Sequence, residues 1–159
     1  MASQTQAFAD EFQANNAEYV VAVSRCSDEE WARIGANDER TVGVIAFHMA
    51  TVQGGLAGLI ESVIAGRPTN APGSLEEIDK MNADHARNHA NVKQEDVVNA
   101  LSASGQAFLT QLRWLSEEDL DRSVGVLVGN EMTIGHVIQF AVIGHQREHL
   151  DSIKSALAR

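Results

Sequence analysis

With 159 residues, 44% of them hydrophobic and only two prolines, the chain is long enough for one domain whose core needs no covalent staple. Twelve Lys+Arg against 22 Asp+Glu give a formal charge of −10, which repels a polyanion at long range and argues against a nucleic-acid partner. The single Cys26 excludes an intrachain disulfide; with no basic-then-apolar leader at the start, a cytosolic protein that neither spans nor binds a membrane is expected.

Sustained apolar/polar alternation is absent while Ala and Leu are common, so the expected class is all-α. Helix one reads from about Thr5 to Cys26, with Phe8, Phe12, Tyr19 and Val23 on its inner face. Cys26 reads as an inert, half-buried thiol, since no neighbour in sequence would lower its pKa. Ser27-Asp28-Glu29-Glu30 has the form of a capping box and opens a short helix carrying Trp31 and Ile34. Thr41 then caps helix two, about Val42 to Ala65, with an inward stripe of Ile45, His48, Val52, Leu59 and Val63. This is the most apolar stretch, but His48, Gln53, Glu61 and three glycines interrupt it, so it reads as a core helix. Gly54, Gly55 and Gly58 each cost about 1 kcal/mol of helix propensity relative to Ala. Close helix approach is the expected compensation, and room for a ligand the alternative.

Residues Gly66 to Gly73 hold both prolines and form the one clear break. Ser74-Leu75-Glu76-Glu77 is a second capping box, opening a polar helix to about Ala90 that contains His85 and His89. Helix three, about Gln94 to Leu115, has the seam Val98, Leu101, Gly105, Phe108, Leu112 and Leu115, a heptad-like spacing suited to a bundle. Ser116-Glu117-Glu118-Asp119 repeats the cap with a shorter acid, Leu120 falls where Trp31 fell, and Thr133-Ile134-Gly135 echoes Thr41-Val42-Gly43. The separations, 89 residues from Ser27 to Ser116 and 92 from Thr41 to Thr133, differ by a small loop insertion. Two such αα halves predict a four-helix bundle with a long connection between helices two and three, the interiors of helices two and four lying near each other.

The final helix, Thr133 to Leu157, carries Ile134, Ile138, Ala141, His145, His149 and Ile153 on or near one stripe. Two imidazoles one turn apart in a buried seam need partners for their nitrogens, and an i, i+4 pair is a natural clamp for a divalent ion. His48 qualifies as the third donor. His48, His145 and His149 are therefore the expected metal ligands, a three-donor set that leaves a position for water or substrate. A closed structural site would need a fourth, for which His85, His89 and Glu61 are imperfect candidates. His85 and His89 sit in a polar stretch that reads as a solvated face, with a place at the mouth of the site as the alternative. His136 reads as structural, and Glu148 as a salt-bridge residue or an outer support of the ligands. In His145-Gln146-Arg147-Glu148-His149 the Glu is at the wrong offset for the general base of the zincins.

The Thr-led second helix with inward His48, the Thr-x-Gly opening of the final helix and the His145-x-x-x-His149 pair together resemble the DinB/YfiT-like superfamily of four-helix-bundle metalloenzymes. The short Ser/Trp helix, the Asn-rich connection at Asn82 to Asn91 and the long link between helices two and three fit as well, so the resemblance covers essentially the whole chain as a single domain, 1–159. It implies a divalent metal, Zn or Ni, at His48, His145 and His149, completed by water. It also implies transferase or isomerase chemistry with a bacterial low-molecular-weight thiol, or hydrolysis, on a small-molecule substrate by a metal-activated thiol or water, in a homodimer. The alternative is a non-enzymatic bundle that binds a small molecule or partner and keeps a structural or vestigial metal site.

Overall fold

Serine and threonine caps set where most of the helices begin. In the computed structural model, which describes residues 1–159, Ser3 caps α1 (Gln4–Ser24), Ser27 caps α2 (Asp28–Trp31), Thr41 caps α3 (Val42–Ile64) and Ser74 caps α4 (Leu75–Asn88). Helix α5 (Gln94–Trp114) starts without a side-chain cap, and Ser116 caps α6 (Glu117–Leu120). Strands β1 (Ser123–Leu127) and β2 (Asn130–Thr133) follow. Thr133 then caps α7 (Ile134–His136), which runs through a π-helical stretch, Val137–Gly144, into α8 (His145–Leu157). The long helices α1, α3, α5 and this last rod make the expected all-α four-helix bundle, with α4 in the long connection.

The repeat between the halves has a physical cause. A Cβ on Gly43 would lie 2.5 Å from the Trp31 indole, and one on Gly135 would lie 3.3 Å from the Leu120 carbonyl oxygen. In each half the short capped helix presses on the start of the next long helix, and the glycine makes room. Both Ser27 and Ser116 form full capping boxes. Ser74 forms only half of one, because the Glu77 carboxylate reaches past it to accept from the Gly73 N–H at 2.7 Å.

The core divides into two apolar clusters. Phe8, Phe12, Ile60, Phe108, Leu112, Ile138 and Val142 belong to one; Tyr19, Val23, Ile45, Met49, Leu101, Leu150 and Ile153 belong to the other. On each of the four long helices a single polar residue falls between the two sets. Asn16 Oδ1 accepts from Gln53 Nε2 at 3.1 Å and from Gln146 Nε2 at 3.2 Å, while Ser104 donates to Gln53 Oε1 at 2.7 Å. A buried polar layer of this kind favours one helix register over its neighbours, because slippage would strand the amides among apolar groups.

Several expectations need correction. The segment after α6 is an antiparallel hairpin in place of an irregular loop. A bulge between Ser123 and Gly125 sets its buried residues, Val124 and Leu127, three apart, which hides the period of two that marks a strand. Its two-residue turn, Val128-Gly129, has φ of 52° and 78°, and the Val128 N–H donates to the Pro72 carbonyl at 3.1 Å, fastening the hairpin to the long connection. In α3, Val52, Leu59 and Val63 are only half-buried, while Gln53 and Ile60 point fully inward. Gly54, Gly55 and Gly58 face outward with no atom within 4 Å of a would-be Cβ, so neither close helix packing nor ligand space inside the bundle accounts for them. Ile34 lies outside α2, paired with Thr41 in an isolated bridge. Helix α3 is the one helix long and apolar enough to cross a membrane, and half of its most apolar window is buried in this fold.

Candidate metal centre

The three expected residues come together. His48 projects inward from α3, and His145 and His149 stand one turn apart at the start of α8. One nitrogen from each ring lies within 4.8 Å of the other two. Ring centroids are separated by 5.3 Å for His48 and His145, 5.2 Å for His48 and His149, and 4.4 Å for His145 and His149. His48 and His149 are only 5% and 7% exposed, and the Nε2 of each is buried without a hydrogen-bond partner. Two buried imidazole nitrogens without partners, on rings packed this closely, are costly for a core unless something binds them.

Electrostatics keep these rings neutral. Burial, then the Arg40 charge and the neighbouring imidazoles, push His48 down to about 2. Burial, followed by His145 and Arg40, brings His149 to about 3. His145 is also lowered by burial, against which Glu148 and the Ala141 carbonyl beside its ring act in the opposite direction. Neutral imidazole is the ligand form, so the donor set and its protonation both fit a divalent ion such as Zn or Ni. The π-helical stretch lies just before the pair: the His145 N–H donates to the Phe140 carbonyl, five residues back. A side chain on Gly144 would sit 3.2 Å from the Gln139 carbonyl oxygen. Such a widened turn changes the phase of the rod immediately ahead of the clamp.

Sequence reasoning missed the wall beside the clamp. Arg40 forks onto Asp38, Nε to Oδ1 at 2.8 Å and Nη2 to Oδ2 at 2.7 Å, and its Nη1 is buried without a partner. Burial raises the Asp38 carboxyl, but the hydrogen bonds and charge of Arg40 outweigh it and hold the group below its usual range. This loop is tied to α8, since Ser152 donates to the Ala36 carbonyl at 2.6 Å and the Ala36 N–H donates to the Ser152 carbonyl at 3.2 Å. Asp38, Arg40, Glu148, His149 and Asp151 contribute to a cleft of about 420 Å³. The Asp-x-Arg spacing just ahead of the Thr41 cap is the only signal in the sequence, and it is indistinguishable there from a loop ion pair.

His85 and His89 do not form a freely solvated face. Both are half-buried against Phe47, whose ring centroid is 5.4 Å from His85 and 4.7 Å from His89. His85 comes within 5.8 Å of His48, centroid to centroid. The long connection lays α4 along α3, a contact that the polar sequence of α4 conceals. His136 is structural as expected: its N–H donates to Thr133 Oγ1 at 3.3 Å, and its Nδ1 accepts from the Thr133 N–H at 3.4 Å. Glu148 makes no ion pair; the neighbouring Arg147 pairs with Glu11. Cys26 is buried, with its Sγ against the Ala22 carbonyl at 3.4 Å, and burial and the Glu30 charge raise its thiol, consistent with an inert residue.

Comparison with known proteins agrees with this architecture. A mycothiol-dependent maleylpyruvate isomerase superposes with a TM-score of 0.78 at 13% identity; the match covers 95% of this chain but 61% of the isomerase, so the chain spans under two thirds of that protein. The Sibling Lethal Factor Precursor DfsB gives a TM-score of 0.74 at 16% identity, covering 99% of this chain and 97% of that one. The colibactin self-resistance protein ClbS, solved with a dsDNA, gives 0.74 at 12% identity over 99% of this chain and 97% of its own. At such identities these likenesses establish the fold alone. No curated protein sequence matches the chain. The family model of the DinB superfamily matches residues 11–153, and the chain therefore belongs to the DinB superfamily.

Proposed function

We propose that this protein is a divalent-metal-dependent enzyme, with His48, His145 and His149 as the ligands and a small-molecule substrate. The carrying observation is the convergence of three neutral imidazoles, two of them buried with unpartnered nitrogens. A bound Zn or Ni would lower the pKa of a coordinated thiol or water and so supply a nucleophile at neutral pH. Within this reading the chemistry is transfer or isomerisation with a low-molecular-weight thiol, of the kind the mycothiol-dependent isomerase uses, or hydrolysis. The buried rings hold the donor nitrogens deprotonated, and Ser152 fixes the loop that sets Asp38 and Arg40 beside His149. Three carboxylates, Asp38, Glu148 and Asp151, line the cleft together with one arginine already engaged by Asp38, so a co-substrate with few carboxylates suits it better than a polyanion. The same balance, with the net charge of −10, weighs against a DNA-binding role like that pictured for ClbS. A cytosolic homodimer acting as one domain completes the proposal.

The test is a thiol-plus-electrophile assay on metal-loaded protein, run beside ester and amide hydrolysis. Turnover abolished by chelator, restored by Zn or Ni and absent in His145→Ala supports the reading. Metal-loaded protein inert toward every thiol and hydrolysable substrate would favour the non-enzymatic bundle.

A further inference from the structure

Five of the six histidines form one continuous cluster, and the three-histidine centre uses only three of them. His85 and His89 continue it, with a centroid separation of 4.6 Å between their rings and 5.8 Å from His85 to His48. We propose that His85 and His89 form a second cation site, an i, i+4 imidazole clamp at the mouth of the first.

The hydrogen bonding around His85 decides which nitrogen is free. The Thr51 hydroxyl donates its one proton to the Phe47 carbonyl at 3.0 Å. Its oxygen, 3.2 Å from His85 Nε2, is therefore left to accept, which places the ring proton on Nε2. His85 Nδ1 then carries a bare lone pair, and it is buried with no partner. A ring that gives its N–H to a fixed acceptor and keeps the opposite nitrogen free of any hydrogen bond is arranged as metal-ligating histidines are. The main chain under the second ring is fixed: the His89 N–H donates to the His85 carbonyl at 3.0 Å, and the Val92 N–H to the His89 carbonyl at 3.2 Å. Val92 is in turn held by the Trp31 indole, whose Nε1 donates to its carbonyl at 3.1 Å. His85 is not among the nitrogens that converge within 4.8 Å at the first centre, so a separate ion with His89 fits better than a fourth ligand there. With two protein donors and water completing its sphere, this ion binds more weakly than the first.

This site does not require the first one to be catalytic, and metal titration separates the two. Tag-free, chelator-stripped protein is titrated with Zn and with Ni by calorimetry, in parallel with the double variants H85A/H89A and H145A/H149A, each checked for helicity by circular dichroism. The wild type should take a tight and a weaker equivalent, H85A/H89A the tight one alone, and H145A/H149A the weaker one alone. Thr51→Val, which removes the acceptor that fixes the His85 tautomer, should weaken the second equivalent about tenfold and leave the first unchanged. Saturation of the wild type at a single equivalent that H85A/H89A retains, or two equivalents persisting in H85A/H89A, overturns the proposal. A weak equivalent lost in H85A/H89A, with no tight one in the wild type, would leave it standing while the three-histidine reading fell.

Discussion

Acidification should destabilise the metal-free protein through its buried histidines. His48 and His149 have folded values of about 2 and 3 against an ordinary 6.5, so between these limits the unfolded chain binds protons that the folded chain does not. Stability then rises with pH and is lost as pH falls below 6.5. At pH 5 the unfolded state gains about 2 kcal/mol per imidazole from protonation, or about 4 kcal/mol for the pair. That is a large share of a typical stability of roughly 5–15 kcal/mol, and it corresponds to a fall in Tm of roughly 10 °C. Asp38, whose value is depressed, loses its contribution only as pH falls below its unfolded value near 4, outside this window. Thermal melts of chelator-treated protein at pH 7.5, 6.5, 5.5 and 5.0 should show the decline, and His48→Leu/His149→Leu should flatten it. A midpoint that stays level from pH 7.5 to 5.0, or a slope unchanged in the double variant, would refute the reasoning.

Two further substitutions probe the scaffold. Asn16→Ala removes the acceptor shared by Gln53 and Gln146 and leaves two buried amide donors unpaired, so urea unfolding should show a loss of about 2–4 kcal/mol; a loss under 1 kcal/mol would mean the polar layer is not what fixes the register. Replacing Gly54, Gly55 or Gly58 by Ala, where no atom lies within 4 Å, should stabilise the protein by about 0.5–1 kcal/mol each. Destabilisation there, with a change in sedimentation, would show that this face packs against a second copy.

The bundle was legible because its signals are local: the repeated Ser caps, the Thr-x-Gly helix starts and the inward residues of α1 at 8, 12, 19 and 23 all lie where the sequence places them. The convergence of His48 with His145 and His149 followed from the internal repeat, which sets helices two and four face to face. What the sequence concealed depends on long-range contacts. Docking of α4 against Phe47 half-buries His85 and His89 in a segment that looks solvated. The Asp38–Arg40 pair acquires its place only when Ser152 ties its loop to α8. The hairpin's bulge breaks the alternation by which strands are read, and the π-helical turns leave no mark in a sequence of ordinary apolar residues.

The most direct measurement is metal analysis of protein grown with Zn and Ni and dialysed to remove weakly held ions, combined with X-ray absorption at the metal edge. One retained ion per chain is expected, with three imidazole donors and an oxygen or thiol neighbour, and it should be lost in His48→Ala, His145→Ala or His149→Ala. Metal-free protein with all three histidines intact, or an ion that survives each of these substitutions, would contradict the three-histidine centre.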